Sequence, residues 1–175
     1  MPEMAIGFDF GTSNSALAVL GEGDTAPRLL RLDRARRDAT FIPTALYLTR
    51  ADMTHIGYDA IDTFVRAESG RTIKRQAQAT GQEIDTVLGL HTVWTEVDAN
   101  QPGRFFQSLK RSLADRSFRG TNIFGKFYTM EELIATIMRE MRTRAEEELG
   151  QPITTATVGR PVHWAENKPE GASMR

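Results

Sequence analysis

The alternation of apolar and polar residues near the start of the chain predicts a series of short β-strands. From Ile6 to Phe10 every second residue is large and apolar, and the positions between are glycine or aspartate. A period of two is typical of a strand with one buried face. Two more apolar stretches follow at residues 15–20 and 28–32, and the segment GEGD at residues 21–24 supplies turn residues between them. The pattern therefore predicts a meander of three short strands.

The middle of the chain gives weaker periodic signals. The segment FIPTALYL at residues 41–48 is typical of another strand, with its proline near the start, where a missing N–H group is tolerated. Residues 58–68 suit a short helix, and residues 70–81 are also compatible with one. We expect a further helix over residues 103–116, because four apolar side chains would share one of its sides: Phe105, Phe106, Leu109 and Leu113.

The clearest signal is an amphipathic helix over residues 129–150. Thr129 and Glu132 have the spacing of a capping box, in which each side chain accepts a hydrogen bond from the other residue's backbone N–H. An apolar stripe follows, whose methionines we interpret as core residues: Leu133, Ile134, Ile137, Met138, Met141, Ala145 and Leu149. Gly150 is well placed to end the helix. A strand is predicted at residues 154–159, and this order of elements indicates an α/β fold.

Composition and charge narrow the functional classes. The 175 residues are 40% hydrophobic and 26% charged, which suits a globular protein, and a formal net charge of -1 gives no general attraction to nucleic acid or anionic membranes. The lack of cysteine excludes disulfides, cysteine zinc sites and thiol catalysis. His55, His91 and His163 are far apart and lack metal-ligand spacing. Since neither a signal peptide nor a long apolar stretch is recognisable, we expect a cytoplasmic protein.

The turn after the first strand carries the most distinctive candidate chemistry. Asp9 is followed closely by the turn Gly11, Thr12, Ser13 and Asn14. Glycine lets backbone N–H groups converge on an anion, hydroxyl residues add donors, and a nearby carboxylate can hold Mg²⁺ through its hydration shell. The turn leads into a strand and lacks a Lys-Ser/Thr ending, so it is neither a P-loop nor a Rossmann fingerprint. The residues alone leave two interpretations open, a phosphate site or an ordinary hairpin with a capping aspartate.

Several segments, in order, resemble one protein family. The stretch IGFDFGTSNSALAV at residues 6–19 resembles the first phosphate-binding hairpin of the actin, sugar-kinase and heat-shock-70 superfamily. FIPTALYL followed by HIGYDA, then FFQSLKRSL with its Lys-Arg pair, then the long helix and the strand that follows it, are similar to heat-shock-70 segments. The segments GRPVHW and FGKFYTMEEL are most similar to the divergent bacterial subfamily typified by YegD, within a DnaK-like ATPase domain.

The resemblance implies an ATPase that binds ATP or ADP with Mg²⁺ between two lobes. Asp9 would hold the Mg²⁺ through water, and the turn residues Gly11, Thr12, Ser13 and Asn14 would contact the β- and γ-phosphates. Lys110 would be a catalytic lysine that orients the attacking water, and Arg111 would lie near the adenosine. This division of roles suits phosphoryl transfer, which depends on positioning and charge neutralisation. Lysine and arginine are also expected on the polar side of a helix, so a structural role stays open for both.

The implied fold is the first lobe of a ribonuclease-H-like, actin-type ATPase, with a mixed sheet that contains the three-strand meander. Residues 1–32 and 125–164 would form its core subdomain, residues 33–124 an inserted smaller subdomain, and residues 165–175 a polar tail. The family's second lobe and client-binding domain lie beyond the matching region. We therefore expect this chain alone to bind nucleotide very weakly, to hydrolyse little, and to expose apolar surface. Pro161 matches a family proline implicated in signalling the nucleotide state, in an altered sequence context.

The complete family member implied is a chaperone that hydrolyses ATP during protein folding, with client proteins and co-chaperones as partners and neither nucleic acid nor membrane among them. Two alternatives stay open. One is another superfamily member, such as a sugar kinase, which would need a catalytic aspartate downstream, or an actin-like protein, which would polymerise with nucleotide. The other is a non-catalytic interaction module in which the hairpin is only a scaffold.

Overall fold

The computed structural model describes residues 4–34, 36, 39–87, 89–113 and 119–159, and these ranges form several small sheets and three helices. The elements in chain order are β1 (Met4–Phe10), β2 (Asn14–Gly21), β3 (Arg28–Leu29), β4 (Ile42–Pro43), β5 (Ala45–Thr49), β6 (Thr54–Ile56), α1 (Gly57–Glu68), β7 (Arg75–Thr86), β8 (Gly89–Asp98), β9 (Gly103–Gln107), α2 (Leu109–Ser112), β10 (Gly120–Ile123), β11 (Lys126–Thr129), α3 (Met130–Leu149) and β12 (Thr157–Gly159). The expected mixed α/β class is confirmed at this level. Pro161 and the predicted tail lie outside the described residues.

The sheet that carries the candidate turn is built around β1. Strand β2 pairs antiparallel with β1 in a register that places Phe10 opposite Ser15, and both β3 and β4 pair antiparallel with β2. Strand β12 pairs parallel with the other side of β1. The predicted meander is therefore present, but its third strand is only two residues long. Leu30 and Leu32 lie just after it and are fully buried, so core packing holds this segment without a longer strand.

Helix α3 supplies the other half of the main core. Its capping box is formed, since the Thr129 hydroxyl accepts a hydrogen bond from the Glu132 N–H and the Glu132 carboxylate accepts one from the Thr129 N–H. Gly150 ends the helix in the left-handed conformation, with φ of 67°. The buried cluster joins sheet side chains to the helix stripe: Ile6, Phe8, Phe10, Leu17, Val19, Leu133, Ile137 and Met141. The sequence prediction for this helix is confirmed.

A second sheet, in the order β6-β5-β9, corrects the prediction for residues 103–116. Residues 103–107 form strand β9, and α2 covers only Leu109–Ser112. Phe105 packs in a small cluster with Tyr47 and helix α1, whereas Phe106 packs against the main core. Adjacent phenylalanines that face opposite cores require a strand, because a strand alternates its side chains between two faces. The helix α1, predicted at residues 58–68, is confirmed at Gly57–Glu68.

Two hairpins complete the described chain, and one of them corrects a second prediction. Residues 70–81 do not form a helix, because residues from Arg75 onward belong to β7, which pairs antiparallel with β8 along a long two-stranded arm. The shorter hairpin joins β10 to β11 just before α3. The predicted strand at residues 41–48 is split at Thr44 into β4 and β5, and the strand predicted at 154–159 is shortened to Thr157–Gly159.

None of the helices in the described ranges is both long enough and apolar enough to cross a membrane.

Candidate functional site

The turn between β1 and β2 lies at the end of a strand whose two faces differ sharply. Phe8 and Phe10 are buried in the main core, while Asp9 between them is exposed on the opposite face of the sheet. Gly11 and Thr12 are half-buried, and Ser13 and Asn14 are exposed. The strand is thus anchored by its aromatic side chains, and it presents its carboxylate and its polar turn to solvent.

Gly11 is required by the shape of this turn. A Cβ atom built at residue 11 would lie 2.1 Å from the carbonyl oxygen of Asn14, a main-chain atom that cannot move aside without opening the hairpin. Within the described ranges, the amide N–H groups of Gly11, Thr12 and Ser13 donate to no protein acceptor. Among the described residues, the turn therefore offers three unpaired donors on a backbone that is free of side-chain obstruction at its first residue. Successive main-chain donors of this kind are chemically suited to an anion.

The turn is braced from behind by the segment between β4 and β5. The carbonyl oxygen of Ser13 accepts a hydrogen bond from the Thr44 N–H at 2.8 Å. One residue further, the buried hydroxyls of Ser15 and Thr44 share a hydrogen bond of 2.7 Å. These two hydrogen bonds involve the Ser13 carbonyl and the hydroxyls of Ser15 and Thr44, and neither of them uses the amides of Gly11, Thr12 or Ser13. The sequence reading missed both residues, because nothing in the spacing of Ser15 and Thr44 indicates that they meet.

Asp9 faces an open depression of about 340 Å³ on the outer face of the sheet. Gly159 of β12 lies directly beside it in the parallel register, and Ala16 lies opposite it on β2. These small neighbours leave room around the carboxylate, which makes no ion pair or hydrogen bond with a described residue. Within the same ranges, no three histidine, aspartate or glutamate side chains are grouped as metal ligands. A single free carboxylate fits Mg²⁺ held through its waters, because this ion keeps several of them.

Lys110 is brought to this turn from a distant part of the chain. Its ammonium group donates to the carbonyl oxygen of Phe10, the residue immediately before Gly11, at 2.5 Å. Ser108 precedes it in the left-handed conformation, with φ of 55°, which redirects the chain from β9 into α2. Arg111 is exposed, and its side chain makes no hydrogen bond or ion pair with a described residue. The structure therefore places Lys110 beside the turn residues, while Arg111 forms no polar interaction with them.

The groups with shifted pKa values lie away from the turn. At the base of the long hairpin, the hydrogen bond between Arg71 and Asp98 lowers the pKa of the carboxyl and raises that of the guanidinium, which Glu68 also raises. Burial raises the pKa of Tyr47, whose hydroxyl has no partner in the described part of the chain. These shifts reflect ion pairing and packing in the second sheet and its hairpin.

Comparison with known proteins extends the likeness over nearly the whole chain. The family model described as Hsp70 protein matches residues 5–171. A chaperone protein DnaK of Picrophilus torridus is 26% identical over 163 residues, which cover 93% of this chain and 21% of that relative. Chaperone protein HscA homologs of Rickettsia felis and Rickettsia rickettsii are 26% and 27% identical over the same share of this chain. The chain thus spans about a fifth of the length of the curated relatives it matches.

Proposed function

Since this chain belongs to the Hsp70 protein family, we propose that its β1–β2 turn binds the phosphates of ATP or ADP in a chaperone ATPase. The proposal rests on the hydrogen bonding of the turn. The amides of Gly11, Thr12 and Ser13 donate to no acceptor among the described residues, and the Thr44 N–H holds the turn by donating to the Ser13 carbonyl. A backbone that is fixed before the ligand arrives loses little entropy on binding it.

Asp9 is the proposed partner of Mg²⁺. Its carboxylate is exposed, lacks a partner among described residues and stands among the small side chains of β2 and β12. When bound, the metal would supply positive charge that offsets the charge of the phosphate oxygens. Asp9 would hold the ion through water, and Asn14 would add a side-chain amide to the phosphate contacts of the turn.

Lys110 is the proposed catalytic cation. Its Nζ donates a hydrogen bond to the Phe10 carbonyl oxygen, so the positive charge of the ammonium group is already beside the turn before any nucleotide binds. From this position the ammonium would hold a γ-phosphate oxygen and orient the attacking water, which are the two tasks that phosphoryl transfer demands of such a group. Arg111 is proposed to contact the adenosine, a role supported only by its place next to Lys110.

The larger organisation is proposed on the same family basis. Residues 1–32 and 125–164 would form the core subdomain of a ribonuclease-H-like, actin-type lobe, with residues 33–124 inserted as a smaller subdomain. The sheet around β1 and helix α3 share one buried core, to which the segment 33–124 also contributes side chains such as Leu46 and Ile56. ATP hydrolysis, client proteins and co-chaperones are proposed for the complete chaperone.

A nitrogen–proton NMR titration of the full chain with MgADP and MgATP tests the proposal. We expect millimolar nucleotide to shift the amide signals of Gly11, Thr12 and Ser13, and to do so much less when Mg²⁺ is removed. The D9N variant should lose the Mg²⁺-dependent part while its remaining spectrum stays unchanged. The matched control is E22Q, because Glu22 is exposed and makes no hydrogen bond or ion pair with a described residue. Turn amides that stay still at saturating nucleotide would overturn the proposal.

A further inference from the structure

The arm formed by β7 and β8 is a surface that the nucleotide proposal does not use. It is held at its base, where Arg71 pairs with Glu68 and Asp98, and where Ala99 donates from its N–H to the Lys74 carbonyl. Beyond the base, the two strands pack on each other and nearly every described side chain is exposed.

Several large apolar side chains of the arm are exposed to solvent. Trp94 is 64% exposed, and Ile84, Val87 and Leu90 are more than half exposed. Exposed apolar groups of this size, gathered on one element, are typical of an interaction surface. They contribute nothing to the two buried clusters of the fold.

The outer edge of β8 is open to another strand. Strand β8 pairs with β7 on one side, and on its other side it meets no strand of the described chain. The register of β7 is interrupted between Ala79 and Glu83, which disrupts the outer edge of that strand, whereas β8 runs for ten residues without proline or lysine. Proteins usually protect such an edge with bulges, prolines or lysines, so β8 is the unprotected edge.

The two faces of the arm differ in charge, and this difference defines the partner. On one face, β8 presents Leu90, Thr92, Trp94 and Glu96, opposite Asp85, Glu83, Ala79 and Ala77 of β7. Arg75 shares this face and forms an ion pair with Glu96, whereas Glu83 and Asp85 form no ion pair with a described residue, so the face is net acidic and carries the indole ring. The other face of β8 carries no carboxylate, lysine or arginine, and it presents His91 followed by three β-branched residues: Val93, Thr95 and Val97.

We propose that the edge of β8 receives an extended segment of another polypeptide, in which basic residues alternate with β-branched residues. The added strand would form main-chain hydrogen bonds with β8, as in other cases of strand addition. Its lysines or arginines would lie beside Trp94, where the indole ring attracts a cation. The carboxylates of Glu83 and Asp85 on β7, across β8 from the added strand, would attract the same cations over a longer distance. Its β-branched residues would extend the row of Val93, Thr95 and Val97. This proposal is independent of the nucleotide site.

Trp94 provides the reporter for a direct test in the full chain. The W164F variant leaves Trp94 as the only tryptophan. The probe is a blocked eight-residue peptide of alternating lysine and valine. We expect a saturable shift of Trp94 emission to shorter wavelength. The same peptide with glutamate for lysine should give no shift. A version N-methylated at alternate residues should bind at least about tenfold more weakly, because it lacks the N–H groups that a paired edge requires.

The role of charge is tested with the E83Q/D85N variant, and E22Q serves as a control outside the β7–β8 arm. We expect the double variant to bind the lysine–valine peptide about fivefold more weakly at low salt, the effect of removing two exposed charges at a distance of about 10 Å in water. Equal binding of the N-methylated peptide, or no emission change at saturating probe, would overturn the proposal. A concentration-dependent shift without peptide would also overturn it, because a second copy of the chain would then occupy the edge.

Discussion

The ammonium group of Lys110 donates a hydrogen bond to the main-chain carbonyl oxygen of Phe10, and this contact joins two segments 100 residues apart in the chain. Phe10 is the last residue of β1, and Lys110 belongs to the short helix α2. The contact fixes a positive charge beside three turn amides that have no acceptor in the described part of the chain. A charge held in place before a ligand binds requires no reorganisation afterwards, which is the main advantage of a preorganised site.

Removing this contact should affect both stability and phosphate binding. We expect K110M to lower the free energy of unfolding by about 1 kcal/mol, the usual magnitude for a hydrogen bond that is partly open to solvent. The shifts of the turn amides with MgATP should also shrink. Urea unfolding measures the first effect. R111M is the matched control for stability and should change it by less than about 0.5 kcal/mol, because the Arg111 side chain is exposed and makes no hydrogen bond or ion pair with a described residue. Equal losses for the two variants would contradict the structural role of Lys110.

Two glycines of the same hairpin should respond to alanine in opposite directions. In G11A the new methyl group would lie 2.1 Å from the Asn14 carbonyl oxygen, so the turn must open, and we expect a loss of about 2 kcal/mol or more. In G7A the methyl group would meet no atom within 4 Å, and alanine is favoured over glycine in a strand by roughly 0.5 kcal/mol. Thermal unfolding of both variants measures the contrast. A G11A protein as stable as G7A would show that the turn is not as tight as described.

The hydroxyl pair behind the turn invites a double-mutant cycle. T44V keeps the side-chain shape but leaves the buried Ser15 hydroxyl without its 2.7 Å partner, and we expect a cost of about 1–3 kcal/mol. S15A should cost a similar amount by leaving the Thr44 hydroxyl unpaired. The double variant S15A/T44V should cost clearly less than the sum, because neither hydroxyl then remains buried alone. Strictly additive losses, measured by urea unfolding, would rule out the shared hydrogen bond.

Local rules were enough to predict the elements whose signals lie within one segment. The capping box of Thr129 and Glu132, the helix stripe and the end at Gly150 all depend on residues a few positions apart. The β1–β2 hairpin was predictable for the same reason, since its alternation and its glycine turn are contiguous in the chain. The order of these segments also sufficed to predict the Hsp70 family, which the family match confirms.

The wrong predictions concern segments whose structure is set by distant partners. Phe105 and Phe106 suit a helix when only the neighbouring leucines are considered, but each ring packs into a different core cluster. Likewise, residues from Arg75 onward form a strand only because β8 pairs with them. The contact of Lys110 with Phe10 and the pair of Ser15 with Thr44 are equally non-local. The site residues taken from the family resemblance remain predictions until nucleotide binding is measured.

The connection from α3 to β12 should make stability depend on acid pH through one carboxylate. Glu146 accepts a hydrogen bond from the Ile153 N–H at 2.8 Å and another from Arg142 at 2.9 Å. The backbone hydrogen bond, followed by the arginine, lowers the pKa of Glu146 below its ordinary value of about 4.5. A carboxyl group whose pKa is lowered in the folded state stabilises the protein at pH values above its unfolded-state pKa, and this stabilisation is lost as the pH falls through its folded-state pKa.

The stability difference between wild type and E146Q should therefore be constant near neutral pH and shrink below about pH 4.5. The control variant E22Q should show no such trend, because Glu22 makes no hydrogen bond or ion pair with a described residue. Urea unfolding at a series of pH values measures both differences, and a gap for E146Q that stays constant down to pH 3 would contradict the role assigned to this carboxylate.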